Sequence, residues 1–196
     1  MVKAVVADEI TAPKEMNNWF HNAENLVSLE GFEKLDISNV TSMSNMFSYC
    51  DLLNDISSLA EWDTGNVTDI FYMFSNCSSL EDISALADWD TSHVTDMHGM
   101  FSYCSSLENI SGLAAWDTGS AKNMGSMFIR CSALEDISAL ANWDTGSVTN
   151  METMFSSCSK VTNWIALNGW DVSKVTSHTA AFNSCKDPLP SWAAEW

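Results

Sequence analysis

From Cys77 to Phe101 the chain reads CSSLEDISALADWDTSHVTDMHGMF, and at Cys104 the phrase begins again. The cysteines are Cys50, Cys77, Cys104, Cys131, Cys158 and Cys185, each 27 residues after the last. Phe47, Phe74, Phe101, Phe128, Phe155 and Phe182 keep the same interval. So do Trp62, Trp89, Trp116, Trp143 and Trp170, and Asp36, Asp63, Asp90, Asp117, Asp144 and Asp171. No insertion or deletion breaks the register. A fixed period of this size is the mark of a solenoid or array.

Within the quoted row two kinds of segment alternate. Val94, Met97, Met100, Phe101 and Cys104 are spaced by threes and fours, which predicts one apolar stripe of a short helix. Thr91 or Ser92 stands where an N-cap belongs. Leu80, Ile83, Leu86 and Trp89 recur every third residue, which fits a leucine-rich coil with one short strand near Asp82-Ile83-Ser84. Helix-pair arrays need rows of about 33–47 residues, whereas about 20–29 suits leucine-rich repeats. The expected fold class is therefore α/β: a curved leucine-rich-repeat-like solenoid with one short strand and one short helix per 27-residue row. A β-helix is the second choice. Curvature is expected because packed helices sit about 8–10 Å apart and adjacent strands about 4.8 Å apart.

The ends are expected to be capped, since a terminal row is an open edge. Residues 1–25 read as an N-terminal cap with a helix around Pro13 to Glu24, residues 26–187 as six rows, and residues 188–196 as a C-terminal cap. Pro188 stands where the row's Leu should recur, and Pro190 follows; neither has the N–H a further strand would need. The tail is expected to lay Trp192 and Trp196 over the last row.

Composition narrows the partners. The 196 residues are 46% apolar, so the chain is not disordered by composition. Net charge is −18, from 26 acidic and 8 basic residues, which disfavours nucleic acid and anionic membrane surfaces. No apolar run approaches the roughly 18 residues of a membrane span. The stretch from Ala4 to Ala7 is too short for a signal-peptide core.

Each ladder has a structural reading and a chemical one. The cysteines read as stacked, buried small hydrophobes; expected helix spacing is too wide for disulfides, and no CxxC pair suggests zinc. The methionines are core. The aspartate after each Trp reads as a turn device, with a row of Ca²⁺ ligands as the alternative. No metal site, cofactor or catalytic residue is expected: the four histidines share no phase, and no acid, base and nucleophile converge. Recognition should reside where rows differ. On the expected helix these positions include Tyr49, Phe71, Tyr72, His98, Tyr103 and Arg130, types that dominate binding hot spots. On the strand side the acids Glu81, Asp82, Glu108 and Glu135 offer a stripe for a basic ligand.

The run W-D-T-[SG]-x-V-T-[DN]-M-x-x-M-F-x-x-C-[SA]-x-L recurs, with small variations, in the rows ending at Cys77, Cys104, Cys131 and Cys158. It resembles the repeats of bacterial surface proteins, the BspA-like leucine-rich group of mycoplasma, Listeria and Lactobacillus, over residues 26–187. The resemblance implies adhesion and recognition at the cell surface, and brings no catalytic residues. The expectation is thus a non-enzymatic, extracellular module, monomeric, that binds a protein or glycan partner. The alternatives are a rigid spacer and a Ca²⁺-dependent module.

Overall fold

The computed structural model describes residues 2–196, so only the first residue of the expected N-terminal cap lies outside them. Rows 27 residues apart lie side by side and parallel: Glu15 pairs with Ser42, Ser42 with Asp69, Asp69 with Asp96, Asp96 with Asn123, Asn123 with Asn150 and Asn150 with Ser177. Among the described residues, strands longer than a single bridge occur only near the N-terminus. β1 (Val2–Val5) pairs parallel with β3 (Leu26–Glu30), and β2 (Ile10–Thr11) with β4 (Leu35–Asp36). Short 3₁₀ helices recur at Ser57–Leu59, Ser84–Leu86, Ser111–Leu113 and Ser138–Leu140, one per row. The rest of each row is turns and irregular chain, and their recurrence at 27 residues is that of a repeat solenoid built without long elements.

The α-helix expected from Val94 to Cys104 does not form, and there is none elsewhere among the described residues. A helix sends each N–H four residues back along its own chain. Here alternate N–H groups leave the row: Met97, Gly99, Phe101 and Tyr103 donate to the carbonyls of Asn123, Gly125, Met127 and Ile129 at 2.8–3.0 Å. The intervening Met100, Ser102 and Cys104 donate three residues back, to Met97, Gly99 and Phe101. The segment is a chain of overlapping four-residue turns, and those turns create the steps of three and four that mimic a helical stripe. Thr91 caps nothing; its hydroxyl donates to the Asp117 carbonyl at 2.9 Å. The helix expected around Pro13 to Glu24 is absent for the same reason. Met16, Asn18, Phe20 and Asn22 donate to Ser42, Ser44, Met46 and Ser48, so the N-terminal segment is a further row. With hydrogen-bonded rows on this side too, the wider helix spacing that called for curvature disappears. The expected strand shrinks to one bridge, Asp82 with Asn109, ahead of its 3₁₀ turn.

Two positions in each turn tract take left-handed backbone. One phase holds Asn18, Asn45, Tyr72, Gly99, Ser126, Thr153 and Ala180; the other holds Asn22, Tyr49, Asn76, Tyr103, Arg130, Ser157 and Ser184. Side chains other than Gly and Asn pay about 1–2 kcal/mol there. Ala180, at φ +57° and exposed, gains nothing in return. Ala180→Gly is expected to raise stability by about 0.5–1 kcal/mol, read as a higher urea midpoint; a lower midpoint contradicts the assigned backbone.

The core is a set of ladders. Phe47, Phe74, Phe101, Phe128 and Phe155 are fully buried and stacked at centroid separations of 5.4–6.0 Å. Met43, Met46, Met73, Met97, Met100, Met124 and Met127 are buried beside them, as the spacing implied. Trp62, Trp89, Trp116, Trp143 and Trp170 each send the indole N–H to a carbonyl of the preceding row at 2.9–3.0 Å, so a large apolar ring is buried without orphaning its donor. At the C-terminus Trp192 stacks on Trp170 and donates to the Leu167 carbonyl, and Trp196 stacks on His178.

All six cysteines are free, and each thiol reaches a backbone carbonyl of the row below at 3.0–3.2 Å. Burial pushes the thiols of Cys50 and Cys104 up to about 12 and that of Cys185 up to about 11, and holds Cys77 and Cys131 well above the ordinary value. Unfolded thiols ionise near pH 8.5. Between that pH and the folded values only the unfolded chain releases these protons, so stability is full below pH 8 and falls as pH rises. The expected melting temperature is flat to about pH 8 and declines above it. A Cys77→Ala/Cys104→Ala variant should show a shallower decline; an equal slope would locate alkaline lability elsewhere.

Candidate functional site

Most of the acidity belongs to the fold. Asp36, Asp63, Asp90, Asp117, Asp144 and Asp171 each accept the backbone N–H two residues on, at 2.9–3.3 Å. Asp55, Asp82 and Asp136 do the same before the 3₁₀ turns, with Asn109 and Asn163 in the equivalent places. Asp69 and Asp96 do so before the turn tract, with Asn123 and Asn150. Each complete row thus turns on three side-chain acceptors. At two of the three positions Asn stands in for Asp in some rows, so a side-chain acceptor oxygen suffices for the turn. Serine hydroxyls and N–H groups hold Asp36, Asp90 and Asp171 below the usual carboxylate range. Among the described residues no group of three His, Cys, Asp or Glu side chains is placed to hold a metal. The Ser138 N–H and hydroxyl hold Asp136 below the usual carboxylate range. Asp136→Asn keeps the acceptor and removes an exposed charge, so it is expected to cost less than about 1 kcal/mol near neutral pH, checked by chemical denaturation; a loss well beyond that would give the charge a larger role than the turn requires.

The recognition residues expected from the sequence fall into three separate groups. Asp82 is spent, accepting from Ser84 N–H at 2.7 Å and from the Asn109 side chain at 3.1 Å. Glu81, Glu108 and Glu135 remain as an exposed file, with Lys160 3.3 Å from Glu135. Phe71, Tyr72 and His98 pack on one another instead of facing outward. Phe71 stacks on His98 at 5.5 Å, and the Tyr72 hydroxyl lies 3.0 Å from His98 Nε2. The Tyr72 ring lies over Gly99, where a Cβ would come 2.1 Å from ring carbon Cε1. His98 Nδ1 is buried without a hydrogen-bond partner, and Gly125 packs so close that a Cβ there would meet it at 2.8 Å. This cluster is a half-buried plug across two rows.

Tyr49, Tyr103 and Arg130 form the third group, all in the second left-handed phase of the tract. Tyr49 and Tyr103 are 46% and 40% exposed, the most exposed aromatics besides Trp19. The Arg130 guanidinium carbon stands 5.3 Å over the Tyr103 ring. Tyr103 and Arg130 line an open trough of about 690 Å³ that runs along the stack, with Asp51, Asn76, Ser78, Ser105, Ser132, Ser157, Ser159 and Ser184 as its other walls. The Ser78, Ser105 and Ser132 hydroxyls donate to the carbonyls of Asp51, Ser78 and Ser105, leaving their oxygens to accept from whatever enters. Sequence reasoning missed these serines. They directly follow Cys77, Cys104 and Cys131, as Ser159 follows Cys158, and constancy made them look like part of the fold. The glutamate file lines no wall of this trough.

Among the described residues no helix is long and apolar enough to cross a membrane. No curated protein and no solved structure matches the chain. A family described as mycoplasma protein of unknown function, DUF285, matches twice, at residues 14–112 and 81–193. The two matches overlap across the middle rows, as a repeat unit laid twice along a periodic chain would. The chain therefore belongs to this DUF285 repeat family.

Proposed function

We propose that the chain is a non-enzymatic recognition module of the BspA-like kind, displayed outside the cell, that binds a protein or glycan through the Tyr103–Arg130 trough. The observation that carries the reading is the placement of Tyr49, Tyr103 and Arg130. The turn tract repeats its core residues row after row, yet its most exposed phase changes identity at each step: Tyr49, Asn76, Tyr103, Arg130, Ser157. A phase that fixes the backbone only through its left-handed φ is free to vary outward, and solenoids use such variable files as extended binding surfaces. Aromatic and Arg side chains standing in a groove are the types that anchor interfaces. The acidic file Glu81, Glu108 and Glu135 lies outside the trough and offers a separate seat for a basic segment.

The test is capture from an array of surface proteins and glycans by the immobilised chain. A Tyr103→Ser/Arg130→Asn double variant should lose capture at unchanged melting temperature, while the exposed control Asp88→Ala retains it. Capture that survives the double variant refutes the trough; an array with no capture at all favours the second reading. That reading, a rigid spacer, draws on the unbroken register of 27 residues and on the backbone bonds joining every row to the next.

A further inference from the structure

We infer that the trough takes a short glycan bearing a single sugar-acid carboxylate, with Arg130 as the carboxylate anchor. The inference rests on the recognition reading above and specifies its ligand. Arg130 is the sole arginine of the chain, which has 26 acidic residues. In such surroundings a guanidinium would be expected to pair with a neighbouring carboxylate, yet among the described residues the ion pairs are Lys3–Glu30 and Lys160–Glu135. Arg130 is held by the face of Tyr103. That contact uses no N–H donor, and the planar fork of a guanidinium matches a carboxylate with two parallel bonds. The ring contact also fixes the fork's orientation, which lowers the entropy lost on binding.

The remainder of the trough fits hydroxyls. The N–H groups of Tyr103 and Arg130 donate to the carbonyls of Ile129 and Ser156 at 2.8 Å, so neither is open to an added strand. The trough is lined by a file of serines together with Asn76 and Tyr103, a polar surface suited to a ligand with many hydroxyl groups. Asp51 is the one acid in the lining. It stands three rows from Ser132, about 14 Å at strand spacing, so it meets the ligand's neutral end as a hydroxyl acceptor. The volume of about 690 Å³ lies within the range of small-ligand sites, roughly 300–1,000 Å³. Charge sets the number of carboxylates: with −18 overall, a polyanion is repelled at long range, whereas one carboxylate satisfies the one fork.

The test is calorimetric titration of the intact chain with three probes: a glucuronyl disaccharide, the glucosyl disaccharide lacking the carboxylate, and a glutamate-containing hexapeptide. The expected result is that the glucuronyl probe binds at least about tenfold more tightly than its neutral twin. Arg130→Lys, which keeps the charge and loses the fork, should erase most of that preference. Arg130→Asn, a residue suited to the left-handed backbone at φ +60°, should erase all of it with the melting temperature unchanged. Equal affinity for the two saccharides, or binding of the peptide alone, overturns the inference. So does failure of both saccharides, and if array capture still depends on Tyr103 and Arg130, the recognition reading stands without it.

Discussion

Phe101→Ala is expected to destabilise the protein by about 3–5 kcal/mol, the cost of emptying a close-packed aromatic site. The ring is fully buried and nearly parallel to both neighbours, 6.0 Å from Phe74 and 5.9 Å from Phe128. It is the rung through which the rows of Phe74 and Phe128 lean on the one between them. Alanine leaves a void that backbone bonds above and below hold open, because Phe101 N–H still binds the Met127 carbonyl. In a solenoid, stability is a sum over rows and their nearest-neighbour contacts. The variant should therefore melt in two steps, with the rows on either side of Phe101 uncoupled. Urea denaturation followed by tryptophan fluorescence reports on both halves, since Trp62 and Trp143 lie on opposite sides. A single transition displaced by less than about 1 kcal/mol would show that the Phe ladder is not what couples the rows.

Gly99→Val is expected to cost about 2–5 kcal/mol, from about 1–2 for a side chain in left-handed backbone and about 1–3 for forced overpacking. Gly99 has φ +63°, and a Cβ there would meet Tyr72 ring carbons at 2.1 and 2.4 Å. The Tyr72 ring would have to leave, breaking its bond to His98. The two contributions separate in a double-mutant cycle with Tyr72→Ala: the steric part vanishes when the ring is gone, and the backbone part persists. If Tyr72→Ala recovers nothing, the ring does not lie across Gly99.

The periodic rows were legible from the cysteine and tryptophan intervals, because a core ladder demands the same residue in every coil. The burial of the methionines and thiols followed from that, and so did the turn role of the aspartate after each Trp. The helix was not legible. Val94, Met97, Met100 and Phe101 carry a helical spacing, but overlapping turns produce the same spacing. What separates the two is the left-handed residue every fourth position, and only Gly99 announces it in this row; Tyr103 does not. The candidate site was half legible. Tyr103 and Arg130 were picked out as variable outward positions, and the structure brings them together in one file. Phe71, Tyr72 and His98 looked equally available, yet ring packing turns them inward on one another. Asp82 looked like surface charge until its oxygen proved to be committed to Ser84. A sequence displays which residues a row can spare, whereas the competition of each side chain for nearby N–H groups is decided only in three dimensions.

The donors that leave each turn tract carry a consequence for how such a protein can change. A row presents to its successor the same array of carbonyls that its predecessor presented to it, so an inserted duplicate would find its bonds waiting and would hand on an identical surface. Lengthening or shortening by whole units thus leaves both termini undisturbed, while any partial unit would misalign every rung beyond it. The trough would grow or shrink by one step with each such event, and its chemistry could be rewritten at one exposed position without consulting the rest.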